Sequence, residues 1–201
     1  IVSNEFKKLA INVAVVNFKH QNSSDSNIQK AINEYENLLK KIAKNIRSIG
    51  SPYGFVNMGS TIICTINAYI AVGGMPPKKA TEDFYFLQKL AKYDTVHIIK
   101  KILVYPSPRA EQRVYLGTGF RMEKYLQNKS FTDLYINDGA YKCLKYFYTI
   151  INKKWDSTST EILSSITGNN SKLKHYLTEN NFIYKIEKIQ KNSINKRQFL
   201  N

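Results

Sequence analysis

The chain has 201 residues, 43% of them hydrophobic and 12% aromatic, which is enough to bury a core and too apolar for a disordered segment. Thirty lysines and arginines against fifteen acids leave a formal net charge of +15. No basic segment followed by an apolar run opens the chain. Its longest apolar stretches, such as Leu9 to Phe18, fall far short of the ~20 residues of a membrane-spanning helix.

A positive surface suits nucleic acid, anionic lipid headgroups or phosphorylated small molecules. Here the lysines are spread along the chain, and no helix-turn-helix, zinc or RNA-recognition signature accompanies them. Most of the charge therefore reads as a solvated surface, and nucleic acid is not expected as a partner. Cys64 and Cys143 lie far apart without metal-ligand spacing, as expected for buried, reduced thiols in the cytoplasm. His20, His97 and His175 are scattered, and none is nominated as a metal ligand; His97, within a strand pattern, reads as structural. The chain opens on Ile1 without a methionine and is expected to be part of a longer protein.

In chain order, Leu9 to Phe18 is β-branched and apolar, the pattern of a buried strand. The polar run Gln21 to Ser26 leads into the clearest helix. There Ile28, Ala31, Ile32, Tyr35, Leu38, Leu39, Ile42 and Ile46 recur at three- and four-residue steps, Lys and Glu fill the other face, and Gly50 ends it. Gly54 to Asn57 and Thr61 to Ile66 read as short strands around Gly59-Ser60. A short helix over Asn67 to Val72 stops at Gly73-Gly74. Thr81 caps a helix from Glu82 to Lys92, with Phe84, Leu87, Leu90 and Ala91 inward. Val96 to Val104 is a further strand, ended by Pro106-Ser107-Pro108, and Arg109 to Gly119 is a loop. From Thr132 onward the pattern is helical, broken near Ser157 to Glu161 and at Gly168-Asn169-Asn170. The fold class is therefore α/β followed by a mainly α-helical C-terminal region.

On spacing alone, Glu82-Asp83 are first-turn acids that complement a helix dipole. Their surroundings carry more. Ala68-Tyr69-Ile70-Ala71-Val72-Gly73-Gly74-Met75, a short loop, and Thr81-Glu82-Asp83-Phe84-Tyr85-Phe86-Leu87 follow one another in a fixed order. Ser51-Pro52-Tyr53-Gly54-Phe55 and Met58-Gly59-Ser60 precede them. Tyr105-Pro106-Ser107-Pro108-Arg109 and Arg113-Val114-Tyr115-Leu116-Gly117-Thr118-Gly119 follow. This series resembles the segment of family-two glycosyltransferases in which a Gly-Gly turn precedes an acidic pair opening a helix, and it covers about a third of the chain.

The resemblance implies part of a GT-A (nucleotide-diphospho-sugar transferase) fold over residues 1–125, with the helical region over 126–201. It implies an inverting transferase of family two. Asp83 would act as general base on the acceptor hydroxyl and Glu82 would stand beside it in the catalytic pair. Gly59, Ser60, Gly73, Gly74, Arg109 and Arg113 would contact substrate, the arginines neutralising the diphosphate. The partners it implies are a nucleotide-sugar donor and a glycan or lipid-linked acceptor, with peripheral association at the inner face of the cell membrane. Mg or Mn is expected for the full-length enzyme through an Asp-x-Asp motif, which this chain does not contain. The donor-binding half is thus expected upstream of Ile1, and the chain alone is expected to be inactive. The competing reading is a non-catalytic basic module that binds an anionic lipid or polysaccharide.

Overall fold

The computed structural model describes residues 2–78, 80–109, 117–131, 134–193 and 195–200. It is a mixed α/β protein, and the chain divides into two compact units, 1–47 with 52–136, and 48–51 with 137–201. Residue 125 lies inside a helix of the first unit, 11 residues before the division.

The first unit is built on a three-stranded sheet of order β2-β1-β3, with β1 at Val13–Phe18, β2 at Ile62–Cys64 and β3 at Val96–Val104. β1 pairs antiparallel with β2 and parallel with β3. Its alternate residues serve opposite layers. Val13 and Val15 pack with Ala68 of α3 (Ile66–Ala71) and with Phe86, Leu87 and Leu90 of α4 (Glu82–Tyr93). Ala14 and Val16 pack with Ile11 and Ile99, and with Val2 and Phe6 of α1 (Val2–Leu9). Covered on both faces, β1 needs an apolar residue at nearly every position, which is why it reads as one continuous run. The strand is shorter than the apolar run, because α1 takes the run's first residue.

The long helix α2 (Ser26–Ser48) presents Ala31, Ile32 and Leu38 to Met122 and Tyr125 of α5 (Thr118–Asn128) and to Phe131. Asp25 caps it, its carboxylate accepting from the backbone N–H groups of Asn27 and Ile28. Three local expectations need correction. Residues 54–57 form no strand; Gly54 is instead pressed against Arg47, where an added Cβ would come within 2.4 Å of the Arg47 Cβ. Gly117-Thr118-Gly119 opens α5 rather than closing a loop. Cys143 and His97 are both exposed, so neither is a core residue; both cysteines are free thiols.

The second unit packs α6 (Asp138–Lys153), α7 (Ser159–Thr167), α8 (Ser171–Glu179), α9 (Phe182–Lys191) and α10 (Lys196–Leu200) around Ile151, Ile162, Leu163, Ile166, Phe182, Ile186 and Phe199. α7 opens with a capping box: the Thr158 hydroxyl accepts from the Glu161 N–H, and the Glu161 carboxylate accepts from the Thr158 N–H. The Thr158 backbone N–H and side chain hold the Glu161 carboxyl below its ordinary range. Asn137 and Asn170 cap α6 and α8 with their side-chain oxygens alone, which accept from the N–H groups of Gly139 and Leu173.

Candidate functional site

Where the parallel strands β1 and β3 end, their pairing continues through loops. Lys19 N–H donates to the carbonyl of Val104 (3.1 Å), and Gln21 N–H to that of Pro106 (2.9 Å). The Gln21 side chain adds a bond to the Tyr105 carbonyl (2.8 Å). These bonds hold His20 beside the Tyr105–Arg109 loop. A cavity of about 390 Å³ opens there, beyond the carboxyl ends of the two parallel strands, the usual ligand position in sheets of this kind. His20, Met58, Ser60, Val104, Pro106, Ser107, Arg109 and Gly117 to Gly119 line it.

Of the residues expected to contact substrate, Ser60 and the exposed Arg109 line this cavity. Gly59 begins the 3-10 turn Gly59–Thr61, which contains Ser60, and its N–H donates to Asp83 Oδ2 at 3.0 Å. A Cβ on Gly59 would stand 3.4 Å from the Asp83 Cβ, in ordinary contact with it. Asp83 Oδ1 also accepts from the Phe84 N–H (2.7 Å). Asn57, with its amide in the orientation that satisfies both groups, donates to the Asp83 carbonyl (3.3 Å) and accepts from Phe84 N–H (3.0 Å). The 57–61 segment and the first turn of α4 are thereby tied together around the half-buried carboxylate. Glu82 stands one residue earlier, half-buried, and takes no hydrogen bond among the described residues.

Thr81 does not cap α4. Its backbone is left-handed (φ 64°), and its hydroxyl donates to the Ala80 carbonyl instead of receiving from the helix. That conformation is rare for a β-branched residue, and it fixes the direction in which Glu82 and Asp83 enter the helix. Gly73 and Gly74 are elsewhere. They end α3 as consecutive left-handed residues (φ 73° and 69°), with N–H bonds back to Ile70 and Tyr69, and neither lines the cavity. A Cβ on Gly74 would meet the Tyr69 ring at 3.0 Å, so glycine there answers to packing as well as to the turn. Arg113 lies outside the described residues.

The Tyr35 phenol feels Thr118, which lines the cavity, and the charges of Arg121 and Asp83. Burial pushes the phenol up. Arg121 and Thr118 oppose that shift and Asp83 adds to it.

One pair was not read from the sequence. His20 is 4% exposed, and its backbone N–H and Nδ1 (2.8 Å) both bond to Oε1 of Glu36 on α2. Lys40, one helical turn on, reaches Glu36 Oε2 at 3.0 Å and the Phe18 carbonyl at 3.3 Å. Burial alone would raise the Glu36 carboxyl. The His20 backbone and ring and the Lys40 ammonium more than offset it, so the group titrates below its ordinary value. Glu36 is thus not on the solvent face of the helix. Its spacing carries a signal: it lies four residues after the buried Ile32 and four before Lys40, an acid inside the apolar stripe.

Among the described residues no group of three or more His, Cys, Asp and Glu side chains is arranged to hold a metal ion. No helix there is long and apolar enough to cross a membrane. No family model, no curated protein and no solved structure matches the chain.

Proposed function

We propose that this chain forms the acceptor side of an inverting glycosyltransferase of the GT-A type, with Asp83 as its general base. One observation carries the reading. Met58 to Ser60, Pro106 to Arg109 and Gly117 to Gly119 are far apart in sequence, yet they meet around one cavity, and the Asp83 carboxylate is bonded to the backbone of Gly59 at its edge. These are some of the segments on which the family resemblance rests; the Gly73-Gly74 turn, also part of it, lies elsewhere.

In this mechanism the acceptor hydroxyl gives its proton to Asp83 as its oxygen attacks the anomeric carbon. The bond to the nucleoside diphosphate breaks on the opposite face. The two N–H groups on Asp83 orient the carboxylate and leave lone pairs for the incoming proton. Glu82 beside it shapes the approach of the acceptor, and Arg109, with Arg113, offsets the charge of the departing diphosphate. The described residues do not fit a divalent-metal site, so no step through Mg or Mn is assigned to them. The test is sugar transfer from a nucleotide-diphospho-sugar by the protein in its full encoded length. Asp83→Asn is expected to lower kcat roughly 10²- to 10⁴-fold with the fold intact. Unchanged transfer would sink the assignment.

A second reading, a basic module on an anionic lipid surface at the inner face of the membrane, is favoured by α3. That helix exposes Ile66 (78%) and Ile70 (68%) on a chain of net charge +15. Salt-sensitive cosedimentation with anionic vesicles, lost in Ile66→Ser with Ile70→Ser and kept in Asp83→Asn, distinguishes it.

A further inference from the structure

The cavity contains one buried polar side chain that the acid-base reading leaves without a task. His20 is held from behind. The ionised Glu36 carboxylate only accepts hydrogen bonds, so Nδ1 must donate to it. In the neutral ring Nε2 then carries a lone pair, and it is the polar atom that His20 has left to offer the cavity it lines. Among the described residues Nε2 takes no hydrogen bond. The support is rigid: Glu36 also accepts the His20 backbone N–H, Lys40 braces its second oxygen, and Phe18 meets the imidazole edge-on at 5.7 Å. Arrangements that fix one tautomer and one orientation are how an imidazole is prepared to meet a ligand.

The chemistry of the ligand follows from the rest of the wall. A lone pair asks for a donor, which excludes a fully ionised phosphate at Nε2. Ser60, Ser107 and Thr118 bring hydroxyls, each able to give and to accept. Met58, Val104 and Pro106 bring apolar surface. Among the described residues Arg109 is the one permanently charged residue of the lining, and it is exposed. Hydroxyls interleaved with apolar patches match a sugar ring, which has hydroxyls at its rim and C–H groups on its faces. The volume of about 390 Å³ falls within the range of small-molecule sites.

We propose that His20 is a ligand-binding residue whose Nε2 accepts a hydrogen bond from a hydroxyl of a neutral sugar seated against Ser60 and Thr118, with Glu36 as its positioning residue. This deepens the acceptor-site reading of the cavity and rests on it.

The experiment is two-bond ¹H–¹⁵N correlation on protein labelled at its three histidines, with His20 assigned by its absence in His20→Gln. The probes are the methyl glycosides of glucose, galactose and N-acetylglucosamine and, separately, inorganic phosphate. The expected result is an Nδ1-protonated ring at His20 whose Nε2 resonance moves with at least one glycoside, while that of His97 does not. His20→Phe, which keeps an aromatic ring beside Phe18, is expected to weaken glycoside binding by about tenfold or more. Glu36→Gln, which can donate as well as accept, is expected to mix the tautomers and weaken binding severalfold. An Nε2-protonated ring, an Nε2 signal moved by phosphate alone or by no probe, or equal binding by His20→Phe would each overturn the proposal. If His20→Phe fails to fold, the tautomer and the Nε2 shift of the unaltered protein decide. Asp83→Asn separates this from the catalytic reading, because it is expected to lower transfer roughly 10²- to 10⁴-fold and leave the glycoside shift at Nε2 in place.

Discussion

The two units of the chain follow local rules to different degrees. In the helical unit, α6, α7 and α8 all open on a side-chain cap, and α7 has a complete capping box. Its one left-handed helix start is Asn181 before α9, a residue type that tolerates that conformation. In the α/β unit, α4 opens on a left-handed threonine and α5 on Gly117, neither with a side-chain cap. Those two helix starts carry Asp83 and the Gly117–Gly119 edge of the cavity. Departures from local preference gather where backbone must be aimed at a site, and regular caps where helices need only pack.

The largest effects that test this contrast are in the cores. Leu87 in the α/β unit and Ile162 in the helical unit are both fully buried, and truncating either to alanine is expected to cost about 2–5 kcal/mol. Trp155, the sole tryptophan, packs beside Phe199 and reports on the helical unit. Ile162→Ala should move its fluorescence transition in urea, and Leu87→Ala should act first on the far-UV signal. Equal displacement of the fluorescence transition by both would break the division into two units.

Next comes the buried pair. Glu36→Ala leaves the His20 N–H, its ring and the Lys40 ammonium without their acceptor, an expected loss of about 1–3 kcal/mol. Because the folded carboxyl titrates below its ordinary value, its contribution is complete at neutral pH. It is lost as pH falls below 4.5 through the folded value. Glu36→Gln should therefore flatten the acid limb of a stability–pH profile.

The smallest pair sharpens the comparison most, because the signs differ. Thr158→Ala removes a working cap and should cost about 1 kcal/mol. Thr81→Asn removes no cap and relieves a left-handed β-branched residue, so it should stabilise by about 0.5–1 kcal/mol. Thermal unfolding of the two variants side by side measures both.

These differences also mark what was legible in the sequence. β1, α2, α4 and β3 were, because each carries a strong periodic or continuous apolar pattern. Helix α1 was not, since eight residues with Val2 and Phe6 as its packing contacts fall within an apparent loop-to-strand entry. Helix α5 was hidden by Gly117 just before it and Gly119 in its first turn, which read as loop when taken alone. Asp83 was singled out through an ordered series of neighbours. His20 and Glu36 escaped because their link spans 16 residues and joins a strand end to a helix face, a juxtaposition created only by folding. Thr81 was assigned the ordinary role of its residue type, and a backbone angle that defies that role leaves no trace in composition.

The register of the sheet carries a consequence for self-association. β3 is an outer strand among the described residues, and its pairing with β1 slips between Val16 and Asn17 and again before Phe18. Asn17 covers part of the gap by donating to the Lys100 carbonyl. Lys100 is the middle residue of the nine in β3, and both it and Lys101 are exposed. Two copies joining edge to edge about a two-fold axis through the strand centre would set Lys100 opposite Lys100 across a distorted ladder. Like charges facing each other and an irregular edge both oppose such a ribbon. The strand that helps to form the mouth of the cavity is thus also guarded against extending the sheet from one molecule into the next.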